Sequence, residues 1–136
     1  MPMKISPTDA CPCDSGLSYK NCCQALHKGA KAPSPEALMR SRYSAYALDL
    51  SDYIIKTTHP DGSPYRSDRA AWKRDIESFS QNTRFARLQI LAAKDDMVTF
   101  HATLFANNQD ISYTEISVFR QHNGYWKYYS GTRLEH

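Results

Sequence analysis

Four cysteines near the start of the chain are the residues best suited to chemistry. Cys11 and Cys13 are separated by one residue, and eight intervening residues separate Cys13 from the adjacent pair Cys22 and Cys23. Four thiolates satisfy the tetrahedral coordination that zinc prefers and leave no position open for a substrate. The spacing therefore predicts one structural Zn²⁺ held by these four cysteines. His27, four residues beyond Cys23, is an alternative ligand that could replace one of the adjacent pair.

Other uses of four cysteines fit this pattern less well. Two disulfide bonds would need an oxidising compartment, and the segment 1–7 has no apolar stretch typical of a secretory signal. The Cys-x-x-Cys redox spacing is absent, and the spacing present is not a usual iron–sulfur pattern. A segment this small cannot bury enough apolar surface to fold alone. We therefore expect metal binding to supply most of its folding free energy.

The position of the cysteines also indicates how the chain is divided. All four fall between positions 11 and 23, and no cysteine follows. The stretch 29–35 contains a glycine and two prolines, which is typical of a linker. We predict a zinc-binding head (1–28), a linker (29–35) and a larger domain (36–133). The last three residues, 134–136, look like the start of a purification-tag linker, so a tag remnant is predicted there.

The larger domain starts with helix patterns. Ser34 is placed to cap a helix that has Pro35 at its first position and Glu36 in its first turn. Apolar residues then recur at three- and four-residue spacings up to Leu50. Two further helices are predicted, at Ser51–Thr57 and Ser67–Ser80.

After residue 82 the apolar pattern alternates, as on strands. Turn residues separate the alternating runs, including Asn123-Gly124, a strong hairpin signal. Four strands are predicted, at 85–92, Met97–Ala106, Ile111–Gln121 and Tyr125–Ser130. Helices followed by antiparallel strands indicate an α+β fold. We expect helices packed on a curved four-stranded antiparallel sheet, which together form a cone with a pocket at its open end.

Polar residues that could face the inside of this cone are candidates for catalysis or ligand binding. If Glu115 points inward, it is a carboxylate in a partly apolar pocket and a candidate general base, with His59 as a second candidate. The candidate pocket residues are Arg40, Arg42, Tyr43, Tyr46 and Trp126. Structural alternatives stay open: Glu115 could pair with Arg40 or Arg42, His59 could be a turn residue, and the aromatic residues could belong to the core.

Charge and hydropathy exclude several classes of protein. There are 17 basic and 14 acidic residues, and the formal charge is +3. The densest basic stretch, 66–74, has acidic residues interleaved or adjacent, which predicts a solvated helix face and argues against nucleic-acid binding. No stretch approaches the roughly 20 apolar residues of a membrane span. A cytoplasmic protein is therefore expected.

The motif at positions 11–23, Cys-Pro-Cys-Asp-Ser-Gly-Leu-Ser-Tyr-Lys-Asn-Cys-Cys, resembles the SEC-C zinc motif. Asp14 departs from that motif, which usually has glycine there. The stretches 38–46 and 52–60 resemble the bacterial YchJ-like family, and Glu115-x-Ser117-x-Phe119, the Asn123-Gly124 region and 131–133 extend the match to the end. Some members carry a second SEC-C motif at the C-terminus, which this chain lacks.

The resemblance implies a domain of the nuclear transport factor 2-like (NTF2-like), cystatin-like type, in agreement with the order of helices and strands. At the C-terminus of the SecA translocation ATPase the SEC-C motif contacts protein partners. The resemblance therefore favours a binding module, with a protein partner at the zinc head and a small-molecule ligand in the cone. The alternatives are an enzyme that uses acid–base residues of the pocket, and a weak nucleic-acid-binding or ribosome-associated factor. The oligomeric state stays open.

Overall fold

The computed structural model describes residues 4–134. Positions 1–3 of the predicted head and 135–136 of the predicted tag remnant lie outside it. The helical elements are a 3₁₀ turn at Tyr19–Asn21, α1 at Cys23–His27, α2 at Pro35–Ala47, α3 at Ser51–Lys56 and α4 at Arg69–Asn82. The strands are β1 at Arg84–Lys94, β2 at Met97–Ala106, β3 at Gln109–Asp110, β4 at Tyr113–His122 and β5 at Tyr125–Leu134. Because the helices precede the strands, the predicted α+β class is confirmed.

The sheet is antiparallel and has the order β1-β2-β4-β5, with β3 paired to the end of β2. The prediction of four strands was therefore one short. Asn107 and Asn108 both adopt positive φ and make a tight turn, so that the next two residues pair with Phe105 and Ala106. The sequence pattern assigned this region to a turn alone, because a two-residue strand carries no alternation. Leu134, assigned to the tag remnant, pairs with Thr114 as the last residue of β5.

Helix α2 is the central helix of the fold. The Ser34 side chain accepts a hydrogen bond from the Ala37 N–H at 3.2 Å, which confirms the predicted N-cap. The helix ends where Asp49 adopts φ +61°. Its buried residues pack against the alternating inward-facing residues of β2. These inward-facing β2 residues are Val98, Phe100, Ala102 and Leu104.

The cysteine-rich head packs into this same core. Cys11, Cys13, Tyr19 and Cys23 are buried in one hydrophobic cluster with residues of α2, β1 and β2. The head is therefore attached to the larger domain through shared core packing as well as through the linker. Loosening of the head would also expose the face of α2 that it covers.

A search of residues 4–134 for membrane spans finds no helix with the length and apolar character needed to cross a bilayer.

Candidate functional site

The four cysteine sulfurs form a compact cluster whose Sγ atoms all lie within 4.8 Å of one another. Two of the separations are 3.4 Å for Cys13–Cys22 and 3.8 Å for Cys22–Cys23. Four sulfurs at the corners of a tetrahedral zinc site are separated by about 3.8 Å, whereas bonded sulfurs are about 2.0 Å apart. All four thiols are free. The donor set and its spacing therefore fit a tetrahedral metal ion.

A short hairpin brings the first cysteine pair towards the second. The Cys11 N–H donates to the Leu17 carbonyl at 2.9 Å, and a β-bridge joins Ala10 to Ser18. Two residues of the intervening loop have left-handed backbone, Asp14 at φ +59° and Gly16 at φ +87°. Asp tolerates this conformation better than most residues, which explains how it replaces the glycine usual at this place in the motif.

Crowding of the sulfurs also changes their acidity. Hydrogen bonds from Cys11 and then Cys23 lower the pKa of Cys13, whereas the hydrogen bond with Cys13 raises the pKa of Cys11 to about 11. Hydrogen bonds with Cys11 and Cys13 likewise raise the pKa of Cys23. Among these three sulfurs, the negative charge is therefore favoured on Cys13. A bound divalent cation would supply the positive charge needed to hold more of the sulfurs as thiolates.

His27 lies beside the sulfur cluster but is engaged elsewhere. Its Nε2 is 2.8 Å from the Ser41 carbonyl, and its Nδ1 is 2.6 Å from the Tyr19 hydroxyl. Because a carbonyl can only accept, Nε2 carries the proton and Nδ1 accepts from Tyr19 in the neutral ring. Burial lowers the pKa of His27 and so favours this neutral form. In the described part of the chain the metal-compatible cluster contains the four cysteines without His27.

Two hydrogen bonds attach the loop between the cysteine pairs to the larger domain. The Arg40 Nη1 donates to the Cys13 carbonyl at 2.8 Å, and the Asp14 carboxylate accepts from the Leu88 N–H at 2.8 Å. Arg40, predicted in the cone pocket, thus lies against the head, where it also pairs with Glu36 at 3.3 Å. The head is therefore held to both α2 and β1.

A separate cavity of about 340 Å³ lies between α2, α4 and the concave face of the sheet. Of the candidate pocket residues, Tyr43 and Tyr46 line it, whereas Arg42 and Trp126 lie elsewhere. The rest of the wall is mainly apolar and comprises Met39, Trp72, Ile76, Phe79, Phe85, Phe100, Ala102, Leu104 and Tyr113. Charged lining residues are Arg66, Asp75 and Arg133. The size is at the lower end of the range for small-ligand sites.

The charged part of the cavity lining was missed at the sequence level. Arg66 pairs with Asp75 at 2.6 Å. The exposed Arg133 places its guanidinium 3.9 Å from the centre of the Tyr113 ring. Arg133 lies in the 131–133 stretch that resembles the YchJ-like family, but its contact with Tyr113 depends on the pairing register of β4 and β5, which the sequence pattern does not predict.

One buried hydroxyl in the cavity wall is unsatisfied. Among the described residues, the Tyr43 hydroxyl has no hydrogen-bond partner of good geometry. Burial and then the charge of Asp14 raise the pKa of this hydroxyl, while the backbone N–H of Arg87, which approaches it without good hydrogen-bond geometry, opposes the shift. A ligand in the cavity could supply the missing partner.

Glu115 points towards the helices and is 9% exposed. It shares this face of β4 with Ser117 and Phe119, both fully buried. Its Oε2 accepts hydrogen bonds from the Ser117 hydroxyl at 2.6 Å and the Tyr128 hydroxyl at 2.8 Å. Burial and then the charge of Glu115 raise the pKa of Tyr113 to about 12. Glu115 is therefore an inward-facing carboxylate, but it lies outside the set of residues that line the 340 Å³ cavity.

Arg42 places its positive charge over the ring of the same Tyr128. The guanidinium of Arg42, 5% exposed, lies 4.7 Å from the centre of the Tyr128 ring. Its Nη1 donates to the Ile54 carbonyl at 3.1 Å and to the Thr57 hydroxyl at 2.8 Å. Among residues 4–134 the ion pairs do not include Glu115, so the alternative that it pairs with Arg40 or Arg42 is not seen; Tyr128 contacts both Glu115 and Arg42 instead.

His59 is a buried turn residue. Its Nδ1 accepts from the Asp61 N–H at 3.0 Å, and its ring packs against His122 and Tyr129. Its backbone N–H donates to the Tyr128 carbonyl at 2.8 Å. None of these contacts places His59 beside the carboxylate of Glu115. The two candidate acid–base residues therefore do not form one site.

The sequence matches known families over most of its length. A profile described as "YchJ, middle NTF2-like domain" matches residues 34–131, and the SEC-C motif matches residues 8–25. A UPF0225 protein of Deinococcus radiodurans is 41% identical over 124 residues, which cover 90% of this chain and 88% of that protein. A UPF0225 protein of Enterobacter sp. is 37% identical and covers 93% of this chain and 84% of its own length.

Solved structures agree with these matches. The solution structure of a SEC-C motif containing protein from Rhodopseudomonas palustris has a TM-score of 0.75 and 34% identity, and covers 92% of this chain and 98% of its own. The crystal structure of a SEC-C motif containing protein from Psychrobacter arcticus has a TM-score of 0.71 and 25% identity, with coverages of 96% and 85%. The resemblance stated from the sequence is confirmed.

Proposed function

This chain, with a SEC-C motif before an NTF2-like domain, belongs to the YchJ family, and we propose that it is a metal-stabilised binding protein for a small organic acid. The observation that carries the proposal is the 340 Å³ cavity, which combines apolar aromatic walls with Arg133 and the unsatisfied Tyr43 hydroxyl. Apolar walls would hold an aromatic or aliphatic body. Arg133 would attract a carboxylate.

The metal in this proposal is zinc, and its role is structural. Four thiolates at tetrahedral spacing favour zinc and leave no open position for catalysis. Helix α2 supplies Met39 and Tyr43 to the cavity wall and also packs against the cysteine cluster. Zinc would therefore help to hold one wall of the binding cavity in place. Four free thiols also favour the reducing cytoplasm as the location.

The ligand is best sought by native mass spectrometry of freshly purified protein, followed by thermal-shift measurements with a panel of small aromatic and aliphatic acids. We expect a bound acid or a stabilising panel member. Ala102→Leu places a larger side chain in the cavity, and Arg133→Gln removes the exposed positive charge from its wall. Each substitution should therefore abolish the thermal shift caused by a bound acid. Ala92→Leu, on an exposed part of β1, is the matched control. A protein without any ligand, insensitive to the whole panel, would overturn the proposal.

A protein partner at the head is a second candidate, favoured by Leu17. This side chain is 52% exposed and lines a groove of about 470 Å³ beside Cys22 and Leu26. Deleting the head would be a poor test, because the head forms part of the core. Leu17→Ser leaves the four cysteines intact, and partners specific to the groove should disappear from a pulldown with this variant. The same partner set with both proteins would argue against this candidate.

The enzyme alternative has weaker support. Glu115 is inward-facing, but its Oε2 already accepts hydrogen bonds from Ser117 and Tyr128, and His59 has its own turn contacts. A general base needs to reach the proton that it removes. We therefore rank ligand binding above catalysis.

A further inference from the structure

Lys31 and Lys127 lie against the ring of Tyr125 at the β4–β5 hairpin, and Lys56, from a third part of the sequence, lies next to Lys127. Lys31 comes from the linker, Lys56 from the end of α3 and Lys127 from β5. The ammonium groups of Lys31 and Lys127 lie 4.9 and 5.7 Å from the centre of the Tyr125 ring. Lys127 also donates to the backbone carbonyl of Lys56 at 2.6 Å. We call Lys31, Lys56, Lys127 and Tyr125 the basic patch.

The lysines of the basic patch are not neutralised by neighbouring carboxylates. Within residues 4–134, the carboxylates that form ion pairs are those of Asp52, Asp75 and Glu36, and no patch lysine takes part in these pairs. Burial and then the charge of Lys56 lower the pKa of Lys127. Like charges are therefore held close together, and an anionic partner would relieve their repulsion.

The contrast with α4 shows why this patch was not visible in the sequence. The basic stretch 66–74 is partly paired, because Arg69 and Lys73 both contact Asp52. The patch lysines are scattered along the sequence and meet only through the fold. The small formal charge of the chain thus conceals a local concentration of unpaired positive charge.

We propose that the basic patch binds single-stranded RNA. Lysine ammonium groups are suited to the phosphates of a flexible backbone, since they act as point charges without a fixed direction. Tyr125 is 38% exposed between Lys31 and Lys127, so the exposed part of its ring can contact a base. An acidic protein segment would use the lysines but would gain little from an aromatic ring, which favours RNA as the occupant.

Fluorescence anisotropy with a labelled single-stranded oligouridine tests this proposal on the full, metal-loaded chain. If the three lysines contact phosphates, the logarithm of the binding constant should fall with the logarithm of salt concentration with a slope of about −2. Lys31→Glu with Lys56→Glu should weaken binding about tenfold or more and reduce the steepness of that slope by about 1.4. Tyr125→Leu should weaken RNA binding several-fold with little change in the slope.

The matched control is Arg74→Glu with Lys94→Glu, which makes the same change in net charge at exposed positions outside the patch. Its RNA affinity should remain within about twofold of the parent at moderate salt. Circular dichroism melts of every variant establish that each is folded. Equal losses in the two double variants would overturn the proposal, as would no RNA binding. A polyglutamate peptide that binds as tightly as RNA, with no effect of Tyr125→Leu on either, would instead identify an acidic protein segment and would also overturn it.

Discussion

The carboxylate of Asp14 accepts a 2.8 Å hydrogen bond from the backbone N–H of Leu88, 74 residues further along the chain. Leu88 lies just after an irregularity in the pairing of β1 with β2, between Phe85 and Arg87. Asp14 itself has a left-handed backbone. The same residue thus shapes the loop between the cysteine pairs and attaches it to the sheet.

Substitutions at Asp14 should separate these two roles. Asp14→Ala loses the hydrogen bond and places a methyl side chain in a left-handed conformation, so we expect a loss of about 2 kcal/mol in the free energy of unfolding. Asp14→Gly should lose about 1 kcal/mol, because glycine relieves the backbone strain. Asp14→Asn retains an acceptor and should change stability least. Urea unfolding of the metal-loaded proteins measures the order of the three free energies of unfolding. Equal stabilities for the Ala and Asn variants would contradict the expected order.

The metal site can be tested by comparing Cys13→Ser with His27→Gln. The serine variant removes one of four clustered sulfurs, so the zinc-to-protein ratio should fall well below one and the melting temperature should drop by about 10 °C or more. The glutamine variant should keep its zinc, because His27 bonds Tyr19 and Ser41 instead. Elemental analysis with thermal melting measures both. Loss of zinc from the His27 variant would identify the histidine as a ligand.

Local features of the fold could be predicted from the sequence because their causes are local. The Ser34 cap, the Asn123-Gly124 turn and the cysteine spacing each depend on residues within a few positions of one another. The contacts of Arg40 and Arg42 could not be predicted from the sequence. Both residues lie on α2, and only the packing of the head and of α3 against that helix decides which backbone carbonyl each guanidinium meets.

The buried His27 should make stability depend on pH. Burial lowers the pKa of His27 below its ordinary value of 6.5, so the unfolded chain takes up a proton before the folded one does. The stability contribution of the neutral ring is complete above about pH 6.5 and is lost as the pH falls from there towards the lower folded-state pKa. The difference in unfolding free energy between the parent and His27→Gln should therefore shrink on acidification. A difference that stays constant from about pH 7 to about pH 5 would show that His27 is not buried in its neutral form.

Gly131 leaves the space that Glu115 and Tyr128 occupy. A Cβ atom built at position 131 would overlap the Glu115 carboxyl and the Tyr128 hydroxyl. We therefore expect Gly131→Ala to reduce the free energy of unfolding by about 2 kcal/mol, as overpacking of a buried site does. Ser130→Ala, at the neighbouring position of β5, is the control and should cost less than about 1 kcal/mol.

A double-mutant cycle identifies the cause of the Gly131 effect. Glu115→Ala removes the carboxyl group that the new methyl group would meet. The double variant should then lose at least about 1 kcal/mol less than the sum of the two single losses, because residues in contact are not additive. Chemical unfolding of the four proteins of the cycle measures this coupling. If the two single losses in the free energy of unfolding simply add, the alanine at 131 is accommodated without disturbing Glu115. The buried Glu115–Tyr128–Arg42 arrangement then tolerates a shift of β5.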